Sequence, residues 1–151
     1  MNRLIEDYLR TRGVRYFRGH HDDEYFFLVD FVADAYRGRL NVHLEVCGPD
    51  RDGVQVSISP DRYYPAGQRD LFTGLADRWN SGNPAVSAVV LDSSDPQLVG
   101  VMARAGQRPA AAAELADFVE AAVSAAVELF GLMTAAATPG RQSAGDLRDA
   151  G

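Results

Sequence analysis

Side chains that could bind a metal ion are concentrated in one short segment, His20-His21-Asp22-Asp23-Glu24. A structural zinc site needs about four converging ligands, mostly cysteine and histidine. Adjacent histidines that lead into a strand point in opposite directions, and only His43 and the single cysteine, Cys47, lie elsewhere. The sequence therefore predicts a solvated loop in this segment and no metal site.

A second candidate for chemistry is the pair His43 and Glu45, two residues apart on the polar side of a predicted strand. The two side chains could cooperate in proton transfer if they lined an apolar pocket, although such pairs are more commonly surface residues. Asp92-Ser93-Ser94-Asp95 has the residue types of an ordinary turn. The chain has no G-x-S-x-G, G-x-G-x-x-G or P-loop motif, so we expect no catalytic residue and no cofactor.

Composition excludes further classes of function. The formal net charge is −6, whereas nucleic acids and anionic membranes require clustered positive charge. All 15 basic residues are arginine, which excludes chemistry that depends on lysine. The N-terminus lacks the apolar region of a signal peptide, and no run approaches the roughly 18 apolar residues of a membrane span. We therefore predict a soluble cytoplasmic protein.

The first half of the chain predicts a helix followed by strands. Apolar residues recur at helical spacing over residues 3–12, and Gly13 is a typical helix stop. Val14–Arg18 is compatible with a strand or with an extended connection. Three strand-like runs with short links, one of them the predicted turn Arg37-Gly38-Arg39, then indicate an antiparallel meander. Glu24–Ala33 is rich in aromatic and β-branched residues, whereas Leu40–Cys47 and Gly53–Ser59 alternate apolar and polar residues.

The second half begins with an amphipathic helix in the segment Asp70–Pro84. Its apolar stripe ends at the only tryptophan, Trp79, and Tyr63 and Tyr64 are predicted to pack beneath it. The other members of the stripe are Leu71, Phe72, Leu75 and Ala76.

A strand pair and a long helix complete the predicted order α-β-β-β-α-β-β-α. Ala85–Leu91 and Gln97–Arg104 read as a hairpin, and Pro109 opens an alanine-rich helix that ends near Ala135. Residues 1–135 are predicted to form one domain. Residues 136–151 have little to bury and are predicted to be a disordered tail.

Two surfaces leave alternatives open. The strand Glu24–Ala33 carries apolar residues on both faces, among them Phe26, Leu28 and Val32 on the second face. Either the chain covers that face itself, or the face contacts a partner or a second copy. The last helix carries four acids and no base, which suits the helix dipole near its start or offers an acidic surface to a basic segment.

The order of elements, together with Leu75-Ala76-Asp77-Arg78-Trp79-Asn80, the following Pro84 and the strand Val86–Leu91, resembles the YbjN family. Phe118-Val119 and Phe130 in the last helix add to the resemblance. That family is similar in fold to the type III secretion chaperones.

The resemblance implies an α+β fold in which helices pack on one face of an antiparallel sheet. It also implies a non-enzymatic protein that binds other proteins, often as a homodimer. We expect Phe26, Leu28 and Val32 to bind the partner, and Trp79 and Asn80 to be structural. The alternative is a small-molecule-binding protein or an enzyme with its cleft between the sheet and the C-terminal helix.

Overall fold

The computed structural model describes residues 1–21, 23–32 and 37–137, with the backbone alone for Phe31 and Val32. The fold is α+β, in the predicted order of elements. The helices are α1 (Asn2–Arg12), α2 (Arg69–Gly82) and α3 (Ala112–Ala137). The strands are β1 (Tyr16–Arg18), β2 (Glu24–Val32), β3 (Arg37–Cys47), β4 (Gly53–Pro60), β5 (Tyr64–Pro65), β6 (Ser87–Asp92) and β7 (Leu98–Gln107).

All the described strands form one antiparallel sheet with the order β1-β2-β3-β4-β7-β5. The predicted meander is confirmed as β2-β3-β4, and the predicted hairpin is confirmed as β6 and β7. β6 lies on the side of β7 that faces away from β4 and β5. β7 is therefore the strand that joins the meander to the hairpin.

The sheet decides one alternative that the sequence left open and differs from the prediction in two details. Val14–Arg18 contains a strand, β1, which pairs with β2. The short strand Tyr64–Pro65 was not predicted, because two residues are too few to show a period of two. The predicted turn Arg37-Gly38-Arg39 lies within β3, and the link before it falls on residues 33–36, outside the described residues.

One face of the sheet carries the core. Tyr25, Leu44, Val56 and Ala105 occupy one row across β2, β3, β4 and β7, and all are buried. The buried stripes of α1, α2 and α3 belong to the same cluster. Since strand side chains alternate between faces, the three helices cover a single face of the sheet.

The helices differ from prediction at their margins. Leu71 is exposed, because the buried stripe of α2 follows Phe72, Ala76 and Trp79 and leaves Leu71 on its shoulder. α3 begins at Ala112, three residues after Pro109, and continues to Ala137. Residues 138–151 of the predicted tail lie outside the described residues.

The length and composition of α3 would allow it to cross a membrane. The core helix of a soluble protein has the same properties. Here α3 packs on β4, β7 and α1, and it buries Leu115, Val119, Phe130 and Met133. Packing in the core is therefore sufficient to explain the apolar character of α3.

Polar contacts fasten α1 to α3 around one carboxylate. The Tyr8 hydroxyl donates to Glu120 Oε2 at 3.3 Å, and the Arg12 guanidinium pairs with the same carboxylate. Burial, together with the Glu120 carboxylate, raises the pKa of Tyr8 to about 12, although Arg12 opposes the shift. The folded protein therefore favours the neutral phenol of Tyr8 over the phenolate.

We predict that Tyr8→Phe makes the alkaline loss of stability shallower. Because the folded pKa of Tyr8, about 12, exceeds the ordinary value of 10.0, its stabilisation is complete below pH 10.0 and is lost as pH rises toward 12. Urea unfolding of both proteins between about pH 8 and about pH 11.5 measures this difference. Tyr25 and Tyr64, whose pKa values burial also raises, keep part of the slope in the variant. Parallel curves for the two proteins would contradict the prediction.

Candidate protein-interaction surface

The face of the sheet opposite the helices is the strongest candidate for a functional surface, and we call it the open face. Its residues alternate with those of the core along each strand. None of them is fully buried, although each strand is paired. The open face consists of Phe17, Glu24, Phe26, Leu28, Asp30, Arg39, Asn41, His43, Glu45, Gln55, Ser57, Ser59, Gly100, Met102, Arg104, Ser87, Val89 and Leu91.

Large apolar side chains lie at the β1–β2 side of the open face, and we call this the apolar half. Phe17 is 60% exposed and Leu28 is 48% exposed. Phe26 lies opposite Phe17, is half-buried, and stacks on His43 with a centroid distance of 4.5 Å and an interplanar angle of 15°. These rings and this leucine form an apolar surface that no described helix covers.

The β4–β7 side of the open face carries several small residues, and we call it the small-residue half. Ser57 and Ser59 on β4 are small, and the larger side chains here are Met102, Arg104 and Tyr63. Tyr63 is 61% exposed and its ring lies over Gly100, so the prediction that it packs beneath α2 is wrong. A shallow depression of about 290 Å³ lies between the two halves. Its lining is Phe26, Asn41, His43, Glu45, Gln55, Ser57, Ser59, Met102 and Arg104.

The structure places two of the three predicted partner-binding residues. Phe26 and Leu28 lie on the open face. Val32 ends β2 opposite Arg37, and its side chain is outside the described residues. Their role in binding a partner stays a prediction.

Glu45 lines the depression together with His43, but the side chain that forms a hydrogen bond with His43 is Glu24. The Nε2 atom of His43 lies 3.1 Å from Oε1 of Glu24, on the neighbouring strand. Both side chains are largely buried, and the Phe26 ring packs against the imidazole. The contact crosses strands, so spacing along one strand could not reveal it.

The metal-competent segment of the sequence does not converge. His20 and His21 are exposed, and Asp22 lies outside the described residues. Asp23 instead pairs with the Arg51 guanidinium, which holds the pKa of this carboxyl below its usual value. Across the described ranges, no group of three His, Cys, Asp or Glu side chains is placed to hold a metal ion.

Trp79 and Asn80 both bind the backbone at the start of β6. The Trp79 indole donates to the carbonyl of Val86 at 2.9 Å. The Asn80 amide accepts from the Ala88 N–H at 2.7 Å and donates to the Ala88 carbonyl at 3.1 Å. Asn80 therefore occupies the outer edge of β6 as a further strand would, and the pair fixes α2 to the hairpin.

A cleft of about 620 Å³ lies at the end of β6, beside α3. It is the place where the alternative, small-molecule function would be sought. His43 and Glu45 do not line it, so the structure does not bring the predicted polar pair to this cleft. The lining is Cys47, Gln55, Pro84, Ala85, Val86, Ser87, Arg104, Ala105, Gly106, Gln107, Phe118, Ala121 and Ala122.

This architecture defines a class: α+β proteins with one antiparallel sheet, on one face of which all the described helices pack. No family model and no curated protein matches the chain. Among solved structures it is similar to YbjN from E. coli, a suggested transcription regulator, with a TM-score of 0.63 and 13% identity over 87% of this chain and 90% of that chain. The chain therefore has a YbjN-like fold.

The comparison confirms the predicted resemblance at the level of fold. At 13% identity, membership of the YbjN family stays a prediction.

Proposed function

We propose that this chain is a non-enzymatic protein-binding module, chaperone-like or regulatory, which acts in the cytoplasm as a homodimer. The observation that carries the proposal is the uncovered apolar half of the open face. Exposed apolar surface of this kind usually marks a contact with another protein. The net charge of −6 favours a protein partner over nucleic acid.

The open face is close to the area that a stable interface with a second copy of the chain requires. Six strands, β1-β2-β3-β4-β7-β6, at about 4.8 Å spacing and roughly eight residues in length give a face of roughly 600 Å² in projection. A stable interface buries about 800 Å² on each partner. Because side chains project from the sheet, the accessible area of the open face is larger than its projected area. The open face alone therefore approaches the area that a stable interface buries on each partner.

The shape of the open face is also complementary to the open face of a second copy. A two-fold axis parallel to the strands, between β3 and β4, places the apolar half of each copy over the small-residue half of the other. Phe26, His43, Ser57 and Arg104 lie in one row across the sheet. This symmetry brings Phe26 of one copy over Arg104 of the second copy, which permits a cation–π contact.

The solution mass tests the homodimer directly. We expect sedimentation equilibrium between about 1 and about 100 μM to give twice the chain mass of 16.4 kDa at the upper concentrations. A mass of one chain throughout that range would contradict the homodimer. A dimer whose amides on β2 and β7 exchange hydrogen as fast as those of a dilute monomer would contradict the assignment to the open face.

A further inference from the structure

Glu45 on β3 and Arg104 on β7 are opposite charges that line the same 290 Å³ depression of the open face. Within the described part of the chain, the Glu45 carboxylate forms no hydrogen bond or ion pair. Among the same residues, the Arg104 guanidinium bonds to the Met102 sulfur at 3.5 Å, and no carboxylate pairs with it. The described structure of one copy therefore leaves both charges available for an ion pair.

Glu45 differs in this respect from the other acids of the open face. Glu24 bonds to the His43 imidazole at 3.1 Å, and Asp30 pairs with Arg39 at 2.8 Å. Glu45 is half-buried beside the first of these pairs, in the same row of the sheet as Glu24. Removing a charge from water without a partner is costly, so covering the open face favours a cation beside Glu45.

The two-fold axis between β3 and β4 brings the two charges together across the interface. Glu45 shares a row with Gln55 and Gly106, and Arg104 stands in the next row, two residues along β7. The axis places β7 of one copy over β2 of the second copy, next to β3. At about 4.8 Å between strands, about 6.8 Å between rows and about 10 Å between sheets, the two Cα atoms are about 13 Å apart. The long side chains project toward each other from opposing faces, so together they span this distance.

We propose that Glu45 of each copy forms an ion pair with Arg104 of the second copy, and that these two symmetric pairs select a second copy of this chain as the partner. The inference rests on the proposed homodimer and deepens it. The apolar half alone would accept many apolar surfaces, whereas opposite charges at fixed positions favour one partner in one register and oppose others. The same Arg104 guanidinium lies over Phe26 of the second copy, so one side chain serves both contacts.

Charge reversal on each side of the pair tests the proposal by sedimentation equilibrium. Glu45→Arg and Arg104→Glu each place like charges together in both symmetric pairs, so each variant alone should self-associate about tenfold or more weakly than the original chain. An equimolar mixture of the two variants restores opposite charges in both pairs of the mixed dimer. We expect the mixture to associate within about threefold of the original chain, a rescue that misfolded variants could not give.

Matched controls separate the ion pair from net charge. Glu128→Arg on α3 and Arg78→Glu on α2 make the same changes of net charge at exposed positions away from the open face, and both should dimerise like the original chain. An equal loss in the controls would overturn the pairing, as would Glu45 and Arg104 variants that dimerise normally or fail to associate when mixed. In each of these cases a dimeric original chain leaves the homodimer in place. A monomeric original chain would contradict the homodimer and the pairing together.

Discussion

Replacing Trp79 with alanine is expected to lower the free energy of unfolding by about 3–5 kcal/mol. The indole is 7% exposed and belongs to the core cluster beneath α2. The variant leaves a cavity and also leaves the Val86 carbonyl without its 2.9 Å indole donor. Urea unfolding, followed by circular dichroism in the far ultraviolet, measures the change without relying on the lost tryptophan.

Two variants of α2 separate the contributions at this position. Trp79→Phe keeps most of the buried area and removes the hydrogen bond, so we expect a smaller loss of about 1–2 kcal/mol. Leu71→Ala truncates an exposed apolar residue of the same helix and should change stability by no more than about 0.5 kcal/mol. A loss below about 1 kcal/mol for Trp79→Ala would show that the indole contributes little to the packing of α2.

Asn80 illustrates how far the sequence could be read. The resemblance that includes Trp79-Asn80 implies a structural residue, and the structure gives Asn80 two hydrogen bonds with Ala88. Helical periodicity shows which side of α2 is apolar. It does not show that β6 needs a partner on its outer edge, since that depends on how the hairpin lies against the helix.

The strands show the same division between local pattern and pairing. Alternation assigns each residue of β2 and β3 to a face, and the predicted meander follows from it. A slip of two residues would keep every face and change every partner, so alternation could not place Glu24 beside His43. The predicted pair, His43 and Glu45, was the only one that spacing along a single strand could offer.

The ends of the hairpin strands differ from the prediction for a related reason. The sequence predicts that β7 ends at Arg104 and that β6 begins at Ala85. In the structure β7 continues to Gln107, and β6 begins at Ser87. Ala105 and Gly106 have low strand propensity, and their pairing with β4 outweighs it.

The double variant Phe26→Ser, Leu28→Ser is expected to abolish the homodimer while the monomer stays folded. Leu28 is 48% exposed and Phe26 is half-buried on the open face, so neither replacement opens a cavity in the core. Central apolar residues of an interface each contribute about 1–2 kcal/mol or more when truncated, and together they should weaken self-association about 100-fold or more. Sedimentation equilibrium measures the dissociation constant, and circular dichroism checks the fold.

The control for this prediction is Leu132→Ser. Leu132 is 51% exposed, close to the value for Leu28, but it lies on α3, on the other side of the molecule from the open face. We expect this variant to dimerise like the original chain, because self-association depends on where apolar surface lies and not only on its amount. An unchanged dimer in Phe26→Ser, Leu28→Ser would show that the two copies meet elsewhere. An equal loss of self-association in the control would show that the copies associate through non-specific apolar contacts and not through a defined interface.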